Sequence, residues 1–599
     1  MSIAKMPLSF LAVTDRSATR APQTVTGLKP SLPLAVISLA GTQVEMGRQH
    51  GELLRQAGGW QPAVAYYPRM VECMVVGKRE HALQAALPLA LRPMVGLALS
   101  GLHRNRPATL RARSEAFYEG LGLPAQNARY LGVMDVLQNL IGVAGRLGVA
   151  DITTRAMERA APACSSLAIW GDATEDGRLL HARNFDFPGA GVWEMAPTVV
   201  FCTPTEGVRY GFVTTRGADA PVVSVFNEAG ISLSTHTRFH KEVNFTAGVV
   251  MDLCHEVAMK ATTLEEAVQL LSARRSASTW GILISSGQER SAALVEMTAG
   301  RVVVTRPDAD EPWLSCTNRY RAPALQGGEL EPSPGFRMHS DGRWQSLERY
   351  AAAARDGTSA DPLALQRLLG GHGEGEDQLR AAGGILAQCN GVHSVVIDPQ
   401  LQAVDVSVGE VPVAQGPYLR VPWRWSDTAA LRTVDLGELR QAHRPTGAHR
   451  YRAGTTGRAY ARFLEASRIE MMSGAADDAR RALEDACRLD PEEATYRLLA
   501  AGCKLRQRDP AAALDHLRMG LAHEHGAFYR GRLLLWAARA AESQGLTTEA
   551  RTWREELIAL KHSHIGHYQQ AARDELRRPF SRRRLDRTRV QIQLCDLAA

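Results

Sequence analysis

The spacing of apolar positions changes twice along this chain, and each change predicts a change of structure. An early run, "LAVISLAG", reads as a strand. It leads into "TQVEMGRQHGELLRQ", where Thr42 and Glu45 stand at the two ends of a capping box and predict a helix start. From about 60 to 160, alanines and leucines recur at helical spacing, as in "ARYLGVMDVLQNLIGVAGRLG". At Cys164 the period drops to two. "SLAIWGD" and "LLHARNFD" flank "ATEDG", and Asp176-Gly177 between apolar runs predicts a hairpin. Further strands are predicted at "PTVVFCT", "VRYGFVTT", "PVVSVFN" and "ISLSTHT". A helical stretch follows, "AGVVMDLCHEVAMKATTLEEAVQLLS", with a second capping box at Thr263 and Glu266. Strands resume at "TWGILISS", "AALVEMT", "RVVVT", "HSVVIDP" and "AVDVSVG". Strand sets with helices segregated between them predict an α+β layered domain, and helices on both outer faces would make it an αββα sandwich.

The second change comes after about 420. From 455 to 560 the sequence is helical throughout and weakly repetitive. "AADDARRALEDACRL", "DPAAALDHLRMGLAH" and "LTTEARTWREELIAL" align on Ala479, Ala513 and Ala550, which are 34 and 37 residues apart. That spacing is close to the tetratricopeptide period, although the Trp and Tyr landmarks of that repeat are missing. An array of α-hairpins is expected.

Composition narrows the class without naming a function. Apolar content of 45% and charged content of 22% over 599 residues are ordinary for a globular protein of about three or four domains. Nine cysteines without pattern do not form a disulfide framework, which favours a reducing compartment, the cytosol. The N-terminus lacks a proper apolar core followed by a small-residue cleavage site. The longest apolar stretch, "LQAALPLALRPMVGLALSG", contains prolines and Arg92, and reads as a buried helix pair rather than a membrane span. The net charge of +7 is concentrated between Arg573 and Arg589, where eight arginines face three acids. That stretch reads as a solvated helix end and tail, and no nucleic-acid-binding pattern accompanies it. Neither H-E-x-x-H nor paired C-x-x-C occurs, so no metal is expected. No phosphate-binding glycine loop occurs, so no nucleotide cofactor is expected.

The candidate chemistry lies in "APACSSLAIWGDATEDGRLLHARNFDF", residues 161–187. A cysteine of ordinary pKa, about 8.5, is mostly protonated at neutral pH and needs a base to act as nucleophile. One base is the α-amino group of the nucleophile's own residue, which titrates near 8. That solution requires Cys164 to become a chain terminus by cleavage of the Ala163–Cys164 bond. The thiol could itself attack the Ala163 carbonyl in an N-to-S acyl shift.

These residues resemble the start of the mature chain in N-terminal-nucleophile hydrolases. More narrowly, they are similar to the acyl-CoA:6-aminopenicillanic acid acyltransferase family, peptidase group C45. The resemblance rests on Cys164, the D-G hairpin, and Arg183, Asn184, Asp186 and Phe187 as R-N-x-D-F. It extends to "LAGTQVEMGRQHGELL", "FNEAGISLS" from Phe226, "CTNRY" with Asn318, and "SDGRW" with Arg343, so covering about 33 to 420. Arg319 stands where the family shows His.

The resemblance implies a four-layer sandwich with Cys164 as nucleophile and, through its new amine, base. Asp186 would orient that amine, Arg183 would lower the thiol pKa, Asn318 would sit beside the nucleophile or donate to the oxyanion, and Arg343 would complete the polar network, with Arg349 as competitor for that role. Asn227 would mark a turn whose strand supplies an oxyanion donor near His236 or Thr237. The expected division is a leader (1–32), a propeptide and helical part (33–163), a catalytic domain (164–420), a helical repeat domain (455–570) and a basic tail (571–599).

The expected substrate is a small acyl-amide or acyl-thioester, with hydrolysis and acyl transfer both open. A protein or peptide partner is expected at the helical domain. Two alternatives compete: an inactive protein that works as an interaction module through its helices, and an uncut thiol hydrolase using His236 or His255 as base. Cys254-His255, on an apolar helical run, otherwise reads as core.

Overall fold

The computed structural model describes residues 32–598 except 77–81, 149–162, 332, 375–377, 435–450, 452 and 473–475. The leader expected over 1–32 lies outside the described residues apart from Leu32.

The early strands are β1 (Ala35–Gly41), β2 (Ala163–Gly171), β3 (Gly177–Asp186), β4 (Pro197–Pro204), β5 (Tyr210–Thr215), β6 (Ser224–Asn227) and β7 (Ile231–Thr237). They are followed by β8 (Trp280–Ser286), β9 (Ser291–Met297), β10 (Val302–Thr305) and β11 (Trp313–Cys316). After a two-residue pair, β12 (Gly373–Glu374) and β13 (Gln378–Leu379), come β14 (Gly391–Asp398), β15 (Ala403–Ser407), β16 (Tyr418–Pro422) and β17 (Ala430–Thr433). Two large sheets result. The nine-stranded sheet runs β10-β9-β8-β7-β6-β5-β4-β1-β17, and the six-stranded sheet runs β11-β2-β3-β14-β15-β16.

Among the described residues, five α-helices precede Cys164: α1 (Gln43–Ala57), α2 (Gln61–Val76), α3 (Ala82–Arg104), α4 (Ala108–Gly120) and α5 (Val133–Arg146). Then come α6 (Val250–Lys260), α7 (Leu264–Ser272), α8 (Pro334–Ala353) and α9 (Pro362–Leu369). The fold is mixed α+β. Period-two alternation explains its layering, because each strand feeds one core on each side. Odd positions of β7, Ile231 and Leu233, join Val257, Leu264 and Leu271 of α6 and α7 on one side of the large sheet. Val36, Val199, Phe201 and Phe226 of that sheet meet Val395, Ile397 and Val404 of the smaller one between the two. Leu167, Ile169 and Leu180 of the smaller sheet pack on Leu347, Ala351 and Leu365 of α8 and α9. The order is helices, sheet, sheet, helices.

The segment before Cys164 is part of this body. β1 lies inside the large sheet, parallel to β4 and antiparallel to β17. Both expected capping boxes are formed, Thr42 with Glu45 and Thr263 with Glu266. Gly47 and Gly51 let α1 touch the backbone of α4, where a Cβ would overlap the Arg113 and Phe117 carbonyls. The stretch read as a helix pair is one helix, α3. Among the described residues no helix is long and apolar enough to cross a membrane.

The C-terminal helices are α10 (Gly454–Met472), α11 (Ala476–Leu489), α12 (Ala494–Arg506), α13 (Pro510–His523), α14 (Ala527–Ser543), α15 (Thr547–Ala559) and α16 (Gly566–Arg577). Ala479, Ala513 and Ala550 are buried on alternate helices, α11, α13 and α15. The basic stretch expected to be solvated is largely exposed over 577–584, but the last residues are not the tail expected over 571–599. β18 (Arg589–Gln591) and β19 (Asp596–Ala598) form a hairpin whose Leu597 and Val590 pack among the helices. Asp596 is buried there, accepting from Tyr568 Oη at 3.0 Å. These two strands, Arg-Val-Gln and Asp-Leu-Ala, are too short and too polar to show an apolar pattern in the sequence.

Candidate active site

The β2–β3 register sorts the site onto two faces. Cys164 lies opposite Phe185, and Ser166 opposite Arg183. Ser234 Oγ of β7 donates to Ser166 Oγ at 2.9 Å, so this face looks into the space between the sheets. Ala163, Ser165, Asn184 and Asp186 alternate onto the other face. There Asn184 Nδ2 donates to the Leu369 and Leu386 carbonyls at 2.9 and 3.0 Å.

The two arginines divide between these faces. Arg183 shares the inner face with the thiol, its Nη2 3.7 Å from Cys164 Sγ. Arg343 reaches from α8 on the outer side. Its Nη1 donates to the Cys164 carbonyl at 2.5 Å and to Ser165 Oγ at 2.9 Å, and its Nη2 donates to Asn318 Oδ1 at 3.0 Å. Asn318 Oδ1 also accepts the backbone N–H of Cys164 at 2.7 Å. The Asn318 amide is oriented by donation from Nδ2 to the Thr237 carbonyl at 3.2 Å. The nucleophile candidate is therefore held at its nitrogen, its carbonyl and its sulfur by three different elements.

Burial dominates the electrostatics. It pushes the Cys164 thiol up, while Arg183 pulls against it. It pushes Asp186 up to about 8 against the opposing pull of Arg343 and Arg183. Neither carboxylate oxygen of Asp186 has a hydrogen-bond partner among the described residues. Asp186 is consequently mostly protonated at neutral pH in the uncut chain. Arg183 Nε and Nη1 are buried and likewise unpartnered among the described residues. His236 points into the same inter-sheet space as Ser234. Burial first, then Arg183 and Arg238, holds its imidazole well below the usual range, hence neutral.

The thiol sits in an apolar cluster. Phe185 stacks on Phe187 at 5.0 Å between centroids, Trp193 meets Phe185 edge-on, and Leu99, Leu102 and Val136 close over them from α3 and α5. A separate cavity of about 570 Å³ lies along α8 and α9, lined by Ser346, Arg349 and Leu386. Arg349 is exposed on that cavity, and Arg343, not Arg349, meets Cys164.

The structure brings Cys164, Arg183, Asp186, Asn318 and Arg343 together, with His236 facing them. It does not bring in Asn227. That residue ends β6, at the turn that leads into β7, and Thr237 lies at the far end of β7, roughly 20 Å along that strand. Asn227 Nδ2 donates to the Ala258 and Ala261 carbonyls at 3.2 and 2.7 Å, and its Oδ1 accepts from the Ile231 N–H. It ties a turn to α6, which corrects its expected support of the oxyanion. His255 is also elsewhere, bonded through Nε2 to Tyr210 Oη at 2.6 Å on the outer side of the large sheet. Arg319 turns away from Cys164 to Asp341 and Glu329.

Several site residues carried no sequence signal. Ser340 Oγ accepts the Asn318 N–H at 3.2 Å. Arg238 donates to the Thr317 carbonyl and pairs with buried Glu296, which accepts the N–H groups of Arg321 and Ala322. Together they fix the loop that presents Asn318. Their partners are tens of residues distant, and no local spacing announces such pairs. Among the described residues no group of three or more His, Cys, Asp or Glu is arranged to hold a metal.

No protein-family model and no curated protein matches the chain. Among solved structures, it is similar to the Caenorhabditis elegans N-acylethanolamine-hydrolyzing acid amidase (NAAA) ortholog, at a TM-score of 0.28 and 16% identity, over 40% of this chain and 94% of that one.

Proposed function

We propose that this chain is a self-processing amide hydrolase or acyltransferase of the N-terminal-nucleophile kind, with Cys164 as nucleophile. The hydrogen bond from the Cys164 N–H to Asn318 Oδ1 carries the reading. A nitrogen destined to become a free amine already has a side-chain acceptor, itself held by Arg343 and by the Thr237 carbonyl. A mid-strand amide serving only the sheet needs no such arrangement.

In processing, Cys164 Sγ attacks the Ala163 carbonyl carbon, assisted by Arg183 beside the sulfur. The C–N bond breaks as the thioester forms, and the proton that the thiol gives up passes to the departing nitrogen of the same residue. Asp186 lies opposite Ala163 and keeps its own proton through this step. Water then hydrolyses the thioester, releasing residue 163 as a carboxylate. In the mature enzyme the Cys164 amine accepts the thiol proton, and Asp186 becomes its counter-ion. The oxyanion of each step meets Arg183 and His236, two inner-face groups that have nitrogens without partners among the described residues. One such donor is worth roughly 3 kcal/mol of barrier. The apolar wall of Phe185, Phe187 and Trp193 suits an apolar acyl group. Water as acceptor gives hydrolysis, and an amine or thiol gives transfer.

The two fragments would stay together. β1 is built into the large sheet, and buried ion pairs cross the cut, Arg113 with Asp219 and Arg106 with Asp252. Intact-mass measurement of wild type beside Cys164→Ala tests the reading. The expected result is fragments of 163 and 436 residues that co-purify from wild type and a single chain from the variant. A whole wild-type chain that hydrolyses amides, or a Cys164→Ala variant that still does, overturns it.

A further inference from the structure

The helical C-terminal region touches the body at several places, and two of them lead to the site. At the first, the loop between α15 and α16 carries His564 to α8, with Nε2 2.8 Å from Asp341 Oδ2. Asp341 also takes Arg319 at 3.0 Å and Arg321 at 3.3 Å. Both arginines follow Asn318 in its loop, and Asp341 precedes Arg343 by two residues on α8. One carboxylate therefore joins the helical region to the two segments whose side chains hold the Cys164 backbone. His564 and Asp341 are 13% and 12% exposed, so water competes little for the contact.

At the second place, the segment 380–391 is gripped at one end by the helices. Arg380 pairs with Glu524 at 2.7 Å, the Ala381 N–H donates to Glu493 at 3.3 Å, and the Gly384 N–H donates to Tyr529 Oη at 3.1 Å. Its other end lies against β3. The Leu386 carbonyl accepts from Asn184, the Asn390 carbonyl accepts the Phe187 N–H, and Gly391 lies opposite Asp186.

We propose that the helical region acts in cis as a brace of the nucleophile's site, with His564 a positioning residue that sets Asn318 and Arg343 through Asp341. The proposal rests on the reading of Cys164 given above. Small displacements explain why such a contact matters. The Asn318 and Arg343 bonds to Cys164 are short and shared, and an error well under 1 Å at α8 would misalign them.

The full-length protein with His564→Ala and His564→Gln tests this, by the rate of cleavage at Cys164 and by turnover of an apolar acyl p-nitroanilide. Gln places an N–H donor where His Nε2 stands. His564→Ala is expected to lower the cleavage rate and kcat about ten-fold with little change in KM or Tm, and His564→Gln to restore both rates. If Ala also lowers Tm, Gln decides: restored rates support the brace, and rates left at the Ala level overturn it. Rates for Ala equal to wild type overturn it outright. A wild type that neither splits nor turns over removes the site reading and the proposal with it. An active wild type matched by His564→Ala removes the proposal alone.

Discussion

Two buried polar clusters in this protein are built to opposite rules. Around Arg113 the charged groups are matched, and among the described residues of the cluster His50 Nε2 is left without a partner. Its guanidinium grips Asp219 through Nε and Nη2, both at 2.9 Å, while Nη1 serves Gln43 and Tyr210. Asp219 also takes His50 at 3.1 Å. Burial pushes the Asp219 carboxyl up, but Arg113 and His50 outweigh it and hold that carboxyl well below the usual range. Around Cys164 the demands are left open. Among the described residues, Asp186 has two unbonded oxygens and Arg183 two unbonded nitrogens, and burial wins at Asp186. The first cluster joins the segment before Cys164 to the sheet behind it, and its charged groups are committed to one another. The second keeps donors and a proton in reserve, as a reaction centre requires.

The sharpest way to break this contrast is at the closed cluster. Asp219→Ala leaves the Arg113 charge buried without its partner, and should cost roughly 3–5 kcal/mol of stability in urea unfolding. An equal-sized loss from Asp186→Ala would erase the distinction between the two clusters.

Arg343→Lys should do the reverse. A lysine keeps the charge but cannot serve the Cys164 carbonyl, Ser165 and Asn318 from one planar fork. Turnover should fall roughly 100-fold with the Tm almost unmoved. A drop in Tm without a drop in kcat would make Arg343 a scaffold residue.

Asp186 separates the clusters by pH. Its folded pKa of about 8 lies above the ordinary carboxyl value, so between roughly pH 4 and pH 8 the folded state binds more proton than the unfolded one. Stability therefore falls as pH rises through that window. Asp186→Asn, compared in uncut Cys164→Ala protein, should remove part of this fall, roughly 1–3 kcal/mol between pH 5 and pH 8. An unchanged pH slope would mean that Asp186 is ionised and paired in the folded chain.

How much of this the sequence could show follows from interaction range. The β2–β3 hairpin was legible because a D-G turn and alternation are local, but the register that puts Arg183 and Cys164 on one face, with its shift between Ile169 and Gly171, was not. Asn318 and Arg343 came only through the family resemblance, since their distances from Cys164 in the chain carry no periodic signal. Asn227 was misjudged for the complementary reason. Its turn was legible, but its bonds to the end of α6 were not. β17, mostly exposed and only four residues long, has no apolar pattern to reveal it.

The smallest effect belongs to His236, and it discriminates most finely between mechanisms. If the imidazole only fills space, His236→Leu removes an unsatisfied buried group and should leave turnover intact while raising Tm slightly. If it were the base of an uncut enzyme, His236→Gln and His236→Leu should both abolish activity, because an amide does not take up a proton near neutral pH. As one of two donors to the oxyanion, with Arg183 remaining, it predicts a split. Gln, which keeps an N–H, should stay within about three-fold of wild type, whereas Leu should lose roughly ten- to thirty-fold in kcat, less than the loss of a sole donor. The pH profile of the Gln variant should match wild type, since burial and the Arg183 and Arg238 charges already keep His236 neutral across the working range. Equal activity of Gln, Leu and wild type would assign the oxyanion to Arg183 alone.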